Sequence, residues 1–163
     1  MNLLSLVPDN LTEVLLKILR FTELRHKVLY HNLQCADEAA FRPQDMPAAE
    51  FASVLDHAVA EHLQSHRLVF RDTDNVRFGP SGSMELHATV DERADTLLRT
   101  DRKAYVEYEK QLCRENALNR LVAEGLLEMS CGRQVDAVRL HAGLTPVTLE
   151  RQGQPQEHCE NVD

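Results

Sequence analysis

The stretch NLTEVLLKILRFTELRHKVLYHNLQCAD, residues 10–37, is amphipathic with a helical period. Counted from just ahead of it, Leu4, Val7, Leu11, Val14, Ile18, Phe21, Arg25, Val28, Asn32 and Cys35 step by alternating fours and threes, the a/d spacing of a heptad seam. Seven of these ten positions are strongly apolar. Leu15 and Leu29 flank the row, and Thr12, Glu13, Lys17, Arg20, Glu23 and Lys27 occupy the opposite face. Pro8-Asp9-Asn10 followed by Glu13 is a start signal of capping-box type. The pattern predicts one helix over about 10–37, roughly 40 Å long at 1.5 Å per residue. So narrow an apolar row calls for a partner helix. Arg25 and Asn32, polar at core positions, would fix its register.

Working outward, Phe41-Arg42-Pro43 and Pro47 impose a non-helical link. A second helix over 47–66 is expected, with Pro47 near its first position and a stripe of Phe51, Val54, Leu55, Ala58, Val59 and Leu63. Leu68-Val69-Phe70 and Val76-Arg77-Phe78 flank Arg71–Asn75 as either a small hairpin or an ordered loop, and Gly79-Pro80-Ser81-Gly82-Ser83 reads as a flexible link. Asp91, Ala94, Leu97 and Leu98 suggest a short helix near 91–99. The last long helix is expected over 103–129, its stripe running through Tyr105, Tyr108, Leu112, Leu118, Leu121, Val122, Leu126 and Met129. Beyond Ser130 the pattern dissolves among Gly132, Gly143, Pro146, Gly153 and Pro155, and 132–163 reads as a disordered tail.

Composition narrows the function. The 163 residues carry 18 Lys plus Arg against 26 Asp plus Glu, a formal charge of −8, without a basic run. That balance disfavours binding to nucleic acid or anionic lipid through phosphate neutralisation. Apolar runs are far shorter than the roughly 20 residues that span a bilayer. MNLLSLVPDN lacks a basic n-region, so a cleaved secretory signal is not expected. Cys35, Cys113, Cys131 and Cys159 form no C-x-x-C pair and are too sparse for a disulfide scaffold. Cys35, in the seam, reads as an inert thiol.

Chemistry-bearing constellations are weak. His62 and His66 are four residues apart and share a helix face with Glu61 and His57 nearby, yet neither H-E-x-x-H nor H-x-x-E-H is present. A solvated face is the expected reading, and no metal is assigned. His26 and His31 fall on the polar side of the first helix. Gly79-Pro80-Ser81-Gly82 follows no strand-to-helix unit that could expose a nucleophile. Gly-rich phosphate loops are absent. The expectation is a protein that is not an enzyme, with no catalytic residue, cofactor or small-molecule substrate.

One segment is similar to a known family. FTELRHKVLYHNLQCADEAAFRPQDM, residues 21–46, resembles the N-terminal motif of the flagellar basal-body rod proteins, in particular the proximal-rod family FlgB. That motif reads R-x-x-V-L-x-x-N, then I-A-N-A-D-T-P-G-Y, then a link into a second helix near a Phe. Arg25, Val28, Leu29 and Asn32 match its helix; Leu33 stands for Ile, Ala36-Asp37 for the alanine-aspartate pair and Phe41 for Tyr, while Arg42, Asp45 and Phe51 keep the link. Cys35 replaces the second Asn, and Glu38-Ala39-Ala40 replaces Thr-Pro-Gly, so the helix is expected to run a few residues further here. Val106–Leu112 looks like the family's V-D-L-E-x-E-M, and Glu115-Asn116-Ala117-Leu118 like its E-N-A-L.

The resemblance implies a structural subunit of the flagellar rod, exported through the flagellar type III apparatus without a cleaved signal to the periplasmic span of the basal body. Its partners would be copies of itself and other rod subunits. The fold class expected is all-α: two long terminal helices paired as a coiled coil in a rod-protein-like domain over 1–131, with a small irregular middle and a flexible tail over 132–163. The expected assembly interface is Leu11, Val14, Ile18, Phe21, Arg25, Val28 and Asn32 from the first helix with Tyr108, Leu112, Leu118 and Val122 from the last. The alternative is a helical adaptor that uses the same seam for one partner and does not polymerise.

Overall fold

The computed structural model describes residues 10–141. In chain order these form α1 (Asn10–Cys35), β1 (Gln44–Asp45), α2 (Ala48–Ser65), β2 (Val76–Phe78), β3 (Met84–Leu86), β4 (Thr89–Val90), α3 (Glu92–Thr100) and α4 (Arg102–His141). The fold is mostly helical, with two small antiparallel sheets in the middle. A compact unit ends at Ser130 and a second begins at Cys131.

α1 is helical from Asn10, the first described residue, and stops at Cys35 instead of running on. Glu38 N–H donates to the Cys35 carbonyl at 3.0 Å and Phe41 N–H to the Glu38 carbonyl at 3.2 Å, so two tight turns form without the family's Pro and Gly. α2 closes with His66 in the left-handed region at φ 58°. α3 is opened by Asp91, whose carboxylate accepts the N–H groups of Arg93 and Ala94, both at 2.9 Å. Asp101 does the same for Ala104 at the start of α4. These short acceptors satisfy amide groups that the first helical turn leaves without partners.

Two expectations for the middle and the tail fail. The hairpin pairs Val76–Phe78 with Met84–Leu86, not with 68–70, in the register Val76↔Leu86, Arg77↔Glu85 and Phe78↔Met84. Gly79–Ser83, expected to be a flexible link, is its turn: Gly79 N–H meets the Ser83 carbonyl at 3.0 Å, Pro80–Gly82 makes one turn of 3₁₀ helix, and Gly82 sits at φ +77°. That angle suits a residue without Cβ. Phe70 instead stacks on Phe78, centroids 5.0 Å apart. Residues 132–141, expected to be disordered, continue helical to His141. Gly132 lowers helix propensity by about 1 kcal/mol relative to Ala, which does not suffice to end a long helix. The expectations for Leu4, Val7 and 142–163 lie outside the described residues.

The core has two parts. Phe21 and Phe51 stack nearly parallel at 4.3 Å and join Val76 and Met84, with Ile18, Leu55 and Leu86 against them, tying α1 and α2 to the hairpin. Ala36, Ala94 and Tyr105, flanked by Leu97 and Leu98, tie the end of α1 to α3 and α4. β1 and β4 pair as Gln44↔Val90 and Asp45↔Thr89, which carries the link after α1 to the start of α3.

α1 and α4 run antiparallel: Asn116 Nδ2 donates to the Thr22 carbonyl at 2.8 Å, and Tyr105 Oη donates to the Asn32 carbonyl at 2.9 Å. Along α1 and just past its end Leu15, Thr22, Arg25, Leu29, Asn32 and Ala36 form a buried row with Phe21 buried beside it, so the predicted seam is displaced by one residue at every second position. Lys17, assigned to the solvated face, is buried too; its ammonium donates to the Gly82 carbonyl and lies over the rings of Phe70 and Phe78. One seam cannot describe α1, because α1 has neighbours on several sides.

Candidate assembly interface

The residues expected at the interface divide into three sets. Phe21, Arg25, Asn32 and Leu112 are buried, Val14, Ile18, Val28 and Tyr108 are half-buried, and Leu11, Leu118 and Val122 are exposed at 42, 61 and 61%. Phe21 and Ile18 are core residues against α2 and the hairpin, a correction to their assignment as contacts with another subunit. Arg25 and Asn32 are likewise occupied within the chain. The Arg25 guanidinium grips Asp45 with two bonds, Nε–Oδ1 at 2.8 Å and Nη2–Oδ2 at 2.6 Å. Paired, planar bonds of this kind fix geometry as well as charge. The Asn32 amide reads β1 in both directions, donating to the Gln44 carbonyl at 2.7 Å and accepting its N–H at 3.1 Å. It also donates to Glu109 Oε1 at 3.1 Å.

The residues that carry the resemblance are thus engaged in contacts within the chain. Arg25 meets Asp45, Asn32 orders the link between them, Phe51 stacks on Phe21, and Asn116 caps a carbonyl of the helix on which Arg25 stands. A polar residue in a helical seam has here been used to dock a strand and a helix of the same chain.

Sequence reading missed the α4 side of this network. Among the described side chains of α4 the buried ones are Tyr105, Glu109, Leu112, Asn116, Ala123 and Ser130, a row with heptad spacing that is half polar. That spacing was available in the sequence, but Glu109 and Asn116 fall where apolar residues are looked for. Glu109 is completely buried and its Oε2 has no partner, as is true of Asn116 Oδ1. Burial pushes the Glu109 carboxyl up to about 7; Asp91 and Asp45 push the same way, while Asn32 and Arg25 oppose. Beside it Tyr108 donates to Asp91 at 3.1 Å, and burial followed by the Asp91 charge pushes its phenol up to about 12.

With the polar row turned inward, α4 turns its large apolar side chains outward. Leu118, Leu121 and Val122 are each more than half exposed and share a face with Gly125, where an added Cβ would meet nothing within 4 Å. A contiguous apolar face of this kind on a helix is a feature of association surfaces. Beside it, α1, α2 and α4 enclose an apolar groove of about 310 Å³.

Other candidate groups do not converge. His57 Nδ1 lies 2.6 Å from the Ser53 carbonyl, and the rings of His62 and His66 are 6.3 Å apart. Among the described residues no three metal-ligating side chains come together. Cys35 is half-buried, 3.4 Å from His31 Nδ1, and its thiol is pushed up by burial and by Glu38. A cleft holding Lys27, His31 and Arg42 opens between α1 and the following loop, but Lys27 already pairs with Glu23 and Arg42 with Asp95. No described helix is long and apolar enough to cross a membrane. No family model, curated protein or solved structure matches this chain.

Proposed function

We propose that this chain is a non-enzymatic structural subunit of the proximal rod of the bacterial flagellar basal body, joining copies of itself and other rod subunits for motility. The observation that carries the reading is that Arg25, Asn32, Asp45, Phe51 and Asn116 each make a contact joining α1, α2, α4 and the link after α1. The residues that resemble the rod motif are those that hold the terminal helices and the link together. On this reading the coiled-coil pairing of the terminal helices is completed between subunits, and the face of Leu118, Leu121 and Val122 makes the contact. Contacts repeated head to tail along a screw axis build an open filament. The type III export apparatus delivers the subunit.

The test is deletion of the gene, with swimming scored and cell envelopes imaged for rods. Loss of both is expected, restored by the wild-type gene but not by Leu118→Asp, whose carboxylate would be desolvated in the contact. Purified Leu118→Asp should keep the wild-type thermal midpoint, because residue 118 is exposed in the subunit. Swimming and basal bodies that survive deletion would overturn the proposal. One observation favours the second reading, a helical adaptor that does not polymerise: Arg25 and Asn32 are consumed within the chain, leaving α4 with a single free apolar face. A dimer of concentration-independent mass would identify it.

A further inference from the structure

Glu109 on α4 is fully buried, and its two oxygens differ: Oε1 accepts the Asn32 amide at 3.1 Å, while Oε2 has no partner. Ionised there, it would be a charge without compensation, so the fold holds it as the acid. Its neighbours oppose ionisation from several sides. α1 contributes one cation, Arg25, whose guanidinium already grips both oxygens of Asp45. Asp45 stands in β1 and Asp91 directly follows β4, and the charge of each works against a charge on Glu109. On α4 itself Tyr105, Tyr108 and Cys113 adjoin the carboxyl, and burial pushes all three up, so they stay neutral while Glu109 titrates.

The element that carries the two carboxylates is short. β1 and β4 meet over two residue pairs, Gln44↔Val90 and Asp45↔Thr89. The Asn32 side chain that bonds Glu109 also fastens this sheet to α1, accepting the Gln44 N–H at 3.1 Å and donating to its carbonyl at 2.7 Å. On the other strand the Asp91 N–H donates to the Pro43 carbonyl at 3.0 Å. We propose that Glu109 is a proton-operated latch: as the acid it keeps the β1–β4 sheet closed on α1 and α4, and loss of its proton releases the sheet and lets water reach the carboxylate. Like charge on both strands drives the release, and Asn32 transmits it. Phe21, Phe51, Val76 and Met84 form a cluster of their own, which keeps α1, α2 and the hairpin together meanwhile. The inference concerns the subunit alone and stands without the rod reading.

The test follows exchange of the Gln44 and Asp91 backbone amides by NMR in the full-length chain from mild acid to mild alkali, each rate divided by its intrinsic value at that pH. The released carboxyl has the ordinary level of 4.5 and the latched one about 7, so opening should become about 300-fold more frequent between these values and then level off. Both amides should exchange faster than the slowest amides of the chain, the mark of a local opening. Glu109→Gln should flatten the dependence while every histidine is retained. Asp91→Asn, which keeps an acceptor for the α3 amides but removes a like charge, should reduce the rise. A rise of wild-type size in either variant, or none in the wild type, overturns the proposal. So does exchange of both amides only at the rate of the slowest in the chain, for Glu109 would then meet water through global unfolding and not through release of the sheet.

Discussion

Replacing Glu109 by Gln should stabilise the protein at neutral and alkaline pH and leave it nearly unchanged in mild acid. The carboxyl is completely buried, and its level of about 7 stands against 4.5 in the unfolded chain. The folded state therefore holds a proton that the unfolded state releases. For a raised carboxyl this stabilisation is complete below the unfolded value, declines as pH rises from about 4.5, and is gone above about 7. A difference of about 2.5 units at 1.36 kcal/mol each amounts to roughly 3 kcal/mol. Gln removes the titration while preserving the shape. Its oxygen still accepts from Asn32, and its NH₂ replaces Oε2, which has no partner. Urea unfolding followed by circular dichroism at about pH 5 and about pH 8 measures the effect. With a slope of about 1–3 kcal/mol per molar, the variant's midpoint at the higher pH should rise by about 1 M or more. A variant with the wild-type dependence on pH, or one less stable at pH 8, would refute the reasoning, for it would mean that Glu109 is ionised and compensated in the fold.

Arg25→Met should lower stability by roughly 3 kcal/mol, since it leaves Asp45 unpaired beside buried apolar surface; a calorimetric midpoint within a degree or so of wild type would contradict this. Asp91→Ala removes the acceptor of two α3 amides and of the Tyr108 hydroxyl, and should cost about 1–2 kcal/mol, seen as faster hydrogen exchange in residues 92–95 than elsewhere.

The sequence by itself determined the helical elements and most of their ends. The end of α1 and both ends of α2 and α3 lie within two residues of expectation, because helical period, Pro breakers and short acidic acceptors are local properties. It also pointed to Arg25 and Asn32 as residues that fix register, since a polar group at a core position is anomalous in any fold. Which partner they register was not legible. Arg25 reaches twenty residues to Asp45 and Asn32 reaches 77 to Glu109, and helical period carries no information about such distances. The hairpin was misassigned for a related reason: Leu68-Val69-Phe70 is more apolar than Met84-Glu85-Leu86, yet the turn around Gly82 makes the second the partner of β2.

The outward face of α4 is the clearest case of a decision made by tertiary structure. Leu118 and Val122 share one expected apolar stripe with Tyr105 and Leu112, yet the interior of this chain takes Tyr105, Glu109, Leu112 and Asn116 and leaves Leu118 and Val122 exposed. The fold accepts a buried carboxyl and amide there because Asn32 and the Thr22 carbonyl are placed to bond them. Hydrophobicity ranks residues by their affinity for water, but the inward face of this helix is also chosen by the hydrogen bonds that its polar groups make to α1. That pairing exists only once α1, α4 and the link between them are together.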